Sequence, residues 1–286
     1  MTRWSCGLLA WGSPLLSTEL ALGDYGFTPV DVPGAVTTSA QGINNPGQIV
    51  GPYYDGSRFR GFLLTQGQYK TFDVPDARHT QPAAINDAGD IAGTYRDAST
   101  NHGFVRNCDD TLSTLDVPAS IETHALGINN AGQIVGWYVD AFFRNHAFLR
   151  NSDGTFTTID PSDSILARAH GINSVGQIVG EYYSGGNGHG FLLNLSDGTF
   201  TSFDAPNSAS TTPTGINNRG QIVGFYNDGI GFHGFLLSGD QHVTVDVPDP
   251  RQTFPYGIND GGRIVGEYGP RGLLATPQLE LRNSFS

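Results

Sequence analysis

Short runs of apolar and hydroxyl-bearing residues, each cut off by Gly, Asn or Asp, follow one another along nearly the whole chain. One stretch shows the pattern. Thr123 to Ile128 is followed by a turn at Asn130-Ala131-Gly132, and Gln133 to Tyr138 by a longer loop. His146 to Arg150 then precedes a hairpin turn at Ser152-Asp153-Gly154, and Thr155 to Asp160 closes the unit. Runs of this length between turn residues predict β-strands, four to a unit.

The unit recurs. The phrase Gly-Ile-Asn followed by Gly-Gln-Ile-Val-Gly-x-Tyr, or a close variant, begins at Gly42, Ala84, Gly127, Gly171, Gly215 and Gly257, a spacing of 42 to 44 residues. That period is the length of a four-stranded propeller blade. The chain is therefore expected to be all-β, a six-bladed β-propeller with four antiparallel strands per blade. The segment Phe27 to Asp31 has the form of a fourth strand but precedes any third strand, and the last unit stops at its third strand, Gly272 to Leu274. The N-terminal strand is therefore expected to close the last blade, pairing Asp31 with Arg271 and removing an open sheet edge.

Several recurring residues read as scaffold. Asn44, Asn86, Asn129, Asn173, Asn217 and Asn259 occupy one position and suit Asx-turns. The tyrosine ending each second strand, from Tyr53 to Tyr268, suits packing between blades with a bonded hydroxyl. His102, His146, His189 and His233 open the third strand, where the first and sixth copies carry Arg60 and Arg271. An Asp ends each fourth strand. Arg in place of His speaks for cross-strand pairing with that Asp rather than for a metal site.

Those phrases, with His146-Ala147-Phe148 and its His-Gly-Phe and Arg-Gly-Phe variants, resemble the bacterial extracellular repeat family named for its His-Ala-Phe (HAF) motif. The resemblance covers about nine-tenths of the chain, and it implies a secreted, repetitive β-protein. It brings no reaction, cofactor or active-site residues.

Composition narrows the partners. The formal charge is −12 and Lys70 is the only lysine, so the basic stripe of a nucleic-acid groove is missing. No segment is long and apolar enough to span a bilayer, and dinucleotide, phosphate-loop, G-x-S-x-G and EF-hand fingerprints are absent, so no cofactor and no metal is expected. Cys6 and Cys108 are the only cysteines. Arg3, the apolar run from Trp4 to Leu16, and Ala21-Leu22-Gly23 form a secretory-signal pattern over residues 1–23. The propeller is expected over 24–276 and a tail over 277–286, as a secreted monomer.

If recurring residues are scaffold, a site should lie where copies differ, on the rim formed by the connections before Gly-Ile-Asn and after the second strand. Glu122, Glu181 and Glu267, three of only five glutamates, fall there, as do His79, His124, Trp137, Arg168, His170, Arg251 and Tyr256. The second to fourth units hold most of this chemistry. Mixed aromatic and hydrogen-bonding residues suit the faces and edges of a sugar, so His79, Trp137, Arg168, Arg251, Tyr256 and Glu267 are candidate ligand-binding residues. A glycan-active enzyme is the alternative. A glycosidase would use Glu122 and Glu181 if their carboxyls stand about 5–10 Å apart. A lyase would use His124 or His170 as base, with Arg168 neutralising a uronate. A purely structural surface protein is the third reading.

Overall fold

The computed structural model describes residues 25–278 except Asp163 and Pro250. The secretory-signal pattern over 1–23 lies outside the described residues. In the third repeat, strands Glu122–Ile128, Ile134–Val139, Asn145–Arg150 and Phe156–Thr158 form an antiparallel sheet in chain order. The second repeat makes the same sheet from His79–Ile85, Ile91–Arg96, Asn101–Arg106 and Leu112–Leu115. The first splits its inner strand into Thr37–Thr38 and Gly42–Ile43. A parallel pairing of Gly188 with Ser210 joins the fourth and fifth into one eight-stranded sheet. In the last sheet, Tyr25–Val30 lies antiparallel to Arg271–Pro277, with Thr28 opposite Leu274. The arrangement is that of a β-propeller, and no helix occurs among the described residues.

The motif phenylalanines make the core. Phe62, Phe104, Phe148, Phe191 and Phe235 are all but inaccessible, and Leu273 takes the equivalent place in the sixth repeat. Burying one such ring stabilises the fold by roughly 1.5–3 kcal/mol. The clusters they belong to cross repeat boundaries. Val135, Ala147 and Leu149 of the third repeat pack with Ala167, Ile178 and Phe191 of the fourth.

At the centre the recurring Asn does more than shape a turn. Its side-chain oxygen accepts the backbone N–H four residues on, as from Asn129 to Gln133 at 3.0 Å. Its amide donates across to the backbone oxygen of the Asn in the next repeat. These bonds run from Asn44 to Asn86 (2.9 Å), to Asn129 (3.3 Å), to Asn173 (3.1 Å), to Asn217 (2.9 Å) and to Asn259 (3.0 Å). Asn259 donates back to Asn44 at 3.1 Å. All six are at most 6% exposed, and each carbonyl also accepts the N–H of the turn glycine three residues on, as Asn129 does from Gly132 at 3.1 Å, so both lone pairs of a buried acceptor are used.

Just above this circuit the inner strands touch backbone to backbone. A Cβ on Gly171 would lie 3.2 Å from the Gly215 Cα, and one on Gly215 would lie 3.1 Å from the Gly257 Cα. The glycine of Gly-Ile-Asn is what permits that approach. Immediately before it, five of the six inner strands carry a register shift against the second strand, bracketing Ala83, Leu126, His170, Thr214 and Tyr256. A bulge leaves one residue unpaired and re-aims its side chain.

The outer cross-strand pairs form as the sequence suggests. His102, His146, His189 and His233 reach Asp116, Asp160, Asp204 and Asp246 through Nδ1 at 2.6–2.8 Å. Arg60 reaches Asp73 at 2.8 Å and Arg271 reaches Asp31 at 2.5 Å. A second carboxylate faces several of these cations: Asp140 is 3.2 Å from His146, and Asp55 is 2.6 Å from Arg60. The tyrosines follow the expected pattern. Their rings pack against clusters that span repeats, and the hydroxyls of Tyr95, Tyr138 and Tyr182 bond to Thr114, Thr158 and Ser202 in their own sheet. Tyr95 and Tyr138 also stack on His102 and His146, at 5.1 and 5.2 Å.

Two outcomes follow from this packing. Asn129→Ala removes both amide bonds and the acceptor for the Gln133 N–H, which should cost about 1–3 kcal/mol for each buried group left unmet. Chemical denaturation should show that loss, while Asn151→Ala in an exposed turn should change stability by less than about 0.5 kcal/mol. The second outcome concerns pH. Burial opposes charge on His146, but Asp160 and Asp140 outweigh it and raise its pKa; Asp246 raises that of His233. A raised value means stability fully present below the unfolded pKa of about 6.5 and lost as pH rises through the folded value. Denaturation midpoints should therefore fall from pH 6 to pH 8, and His146→Arg with His233→Arg should flatten that slope.

Candidate functional site

The bulged residues converge. Ala83, Leu126, His170, Thr214 and Tyr256, with Gln41 at the matching place in the first repeat, ring the channel mouth on the side away from the asparagine circuit. The mouth opens into an off-centre cavity of about 450 Å³ over the fourth to sixth repeats. Small-molecule sites span roughly 300–1,000 Å³. Its further walls are Arg168, Glu181, Tyr183, Ser210, Thr212, Phe225 and Phe232.

One wall is polar. Arg168 and Glu181 are paired across the first two strands of the fourth repeat, so the backbone register sets them side by side. Arg168 Nη1 donates to Glu181 Oε1 over 3.5 Å, and the Thr212 hydroxyl donates to Oε2 over 2.8 Å. His170 Nε2 lies 3.8 Å from Oε1, at ion-pair rather than hydrogen-bond range, and has no hydrogen-bond partner. Glu181 is 7% exposed. Burial pushes its pKa up, but His170, Thr212 and Arg168 together outweigh that and bring it to about 2. The carboxylate therefore stays charged through ordinary pH.

The lining is also aromatic. Phe225 meets Phe232 and Phe254 at ring separations of 5.9 and 5.1 Å, and Phe232 meets Phe254 at 5.6 Å. Tyr256 donates its hydroxyl to Glu267 Oε1 at 2.9 Å, and burial beside that carboxylate drives the phenol's pKa upward.

Of the ten sequence candidates, Arg168, His170, Glu181 and Tyr256 line this cavity. Glu267 reaches it through Tyr256, and Trp137 through Arg168, whose guanidinium carbon stands 4.6 Å from the indole ring. His124 stacks on Trp137 at 3.8 Å and 8° and is 3.2 Å from Glu122. Burial lowers the His124 pKa in spite of Glu122. Glu122 also accepts from Asn101 at 3.1 Å and is not among the lining residues, so Glu181 is the candidate glutamate that meets Arg168 in the cavity. His79 accepts the Phe59 N–H at 3.2 Å, and Arg251 is ion-paired with Asp249 at 2.6 Å; neither lines the cavity. The chemistry thus centres on the fourth to sixth repeats rather than the second to fourth. Tyr183, Ser210, Thr212, Phe225 and Phe232 were absent from the candidates. The signal for two of them was present, because Thr212 sits at a position that differs in every copy and Phe225 at one where only Glu181 and Glu267 repeat.

Solved structures share the fold. A streptogramin B lyase matches with a TM-score of 0.54 at 14% identity, over 89% of this chain and 98% of that one. A gluconolactonase from Xanthomonas campestris matches with a TM-score of 0.55 at 12% identity, over 90% and 91%. TolB from Acinetobacter baumannii matches with a TM-score of 0.58 at 12% identity, over 84% of this chain and 54% of that one. At these identities the likeness is one of fold. No protein-family model and no curated protein matches the chain.

A titration tests the electrostatics of the polar wall. A carboxyl held at about 2 against an ordinary value near 4.5 contributes stability that is present above 4.5 and lost as pH falls toward 2. The Glu181 carboxyl carbon, followed by NMR, should still be ionised at pH 4. A midpoint near 4.5 would show that the wall does not hold the charge.

Proposed function

We propose that this chain is a secreted six-bladed propeller of the HAF-repeat type, completed by its own N-terminal strand, that binds carbohydrate in the off-centre cavity. The six-membered amide circuit, returning from Asn259 to Asn44, supports six blades. The pairing of Tyr25–Val30 with Arg271–Pro277, and the Arg271–Asp31 contact, support closure by that strand. Secretion rests on the Arg3, apolar-run and Ala21-Leu22-Gly23 pattern.

The observation that carries the binding assignment is the mixed lining of the cavity. Phe225, Phe232 and Tyr256 offer flat apolar surface, and Arg168, Glu181 and Thr212, the last beside Phe225 on the neighbouring strand, offer charged and hydroxyl groups. A sugar ring has the same mixture, with C–H faces and a hydroxyl edge. The fold neighbours include a lyase and a gluconolactonase by name, so catalysis on this scaffold has precedent. The enzyme reading is weaker for hydrolysis, because Glu181 is the one carboxylate among the described lining residues and glycoside hydrolysis uses two.

A panel of immobilised glycans, probed with the purified protein, tests the assignment. At least one glycan should bind, and Phe232→Ala should weaken it by ten-fold or more, while Ile230→Ala on the exposed rim should not. A protein that ignores the whole panel would remove the carbohydrate assignment.

A further inference from the structure

Hydrogen-bond donors outnumber acceptors on the polar wall. Arg168 carries five N–H donors in a planar fork. Its one charged contact, to Glu181, spans 3.5 Å, well beyond the 2.7–2.9 Å of a strong charge-assisted bond. Its Nε has no partner, and neither does His170 Nε2. The single carboxylate on that wall is already committed, with one oxygen on Thr212 and the other shared between Arg168 and His170. Other hydroxyls do not restore the balance: Thr214 donates to the Pro255 oxygen at 2.8 Å, and Tyr256 donates to Glu267.

The guanidinium is also held in place before any ligand arrives. Trp137 supports its face and the Glu181 pairing sets its register, so little side-chain entropy remains to be lost on binding. A planar cation with spare donors, fixed at the wall of a cavity, matches a carboxylate better than a neutral hydroxyl.

We propose that the ligand presents a carboxylate to Arg168 and His170, which makes it an acidic sugar, a uronic acid residue within an oligosaccharide. This rests on the carbohydrate assignment above and narrows it. With the ligand in place, its carboxylate fills the donors that Glu181 leaves unused. Glu181 remains turned onto Thr212 and orients Arg168 and His170.

The test compares three probes on the unmodified protein by calorimetry: an oligogalacturonate, its carboxyl-reduced neutral counterpart, and free galacturonate. The acidic oligosaccharide should bind at least ten-fold more tightly than the neutral one and more tightly than the free sugar acid. Its affinity should fall as salt rises. Arg168→Gln should erase the preference for the acidic form over the neutral one, and Glu181→Gln should increase it. Equal affinity for the acidic and neutral forms, or preference for the neutral one, would overturn the inference and leave the carbohydrate assignment standing. Free galacturonate binding as tightly as the oligosaccharide would make the site one for small acids and overturn the glycan part. If none of the three binds, and no other glycan does, the assignment itself falls.

Discussion

A buried asparagine amide that bonds to the next repeat's backbone is the constraint on which the rest depends. Each such side chain bonds groups in its own turn and one carbonyl of the next repeat, 42 to 44 residues on in the first five. Because the donor of the sixth repeat reaches the acceptor of the first, the bonds form a circuit without a loose end. Every repeat must then bring its inner strand to the same depth, where glycine in five repeats and Ala84 in the second let the backbones meet. Apolar clusters shared between neighbours, built on the motif phenylalanines, fill the space outside the circuit.

The bulge above that glycine separates scaffold from site. In five repeats it turns one residue into the channel mouth, and that residue is free to vary because the ladder does not use it. With Gln41 at the matching place in the first repeat, the six are Gln, Ala, Leu, His, Thr and Tyr. Ala83 and Leu126 are apolar while the other four carry polar atoms, so the mouth is asymmetric. The cavity lies on the side of His170, Thr214 and Tyr256. Glu181 and Phe225, at one second-strand position of the fourth and fifth repeats, both line it.

Much of the fold was legible because it is written repeatedly. The four-strand unit, the turn glycines such as Gly132 with φ of 75°, and the His–Asp and Arg–Asp pairs each follow from local spacing. The asparagine was read correctly as a turn residue but incompletely, since a side chain's type does not name an acceptor a whole repeat away. The tyrosine hydroxyls were read as bonded but without a partner for a related reason: the Thr and Ser they meet lie two strands outward in the same sheet. At the site, residue types pointed to the rim, but which of them met depended on the bulge. Glu122 and Glu181 look equivalent in sequence. Only Glu181, on the second strand and opposite Arg168, faces the cavity.

The closed circuit can be observed directly through hydrogen exchange at the side-chain amides of Asn44, Asn86, Asn129, Asn173, Asn217 and Asn259. All six should exchange as slowly as the most protected backbone amides of the inner strands. An Asn259 amide exchanging at the rate of an exposed side chain would mean that the last repeat does not reach the first.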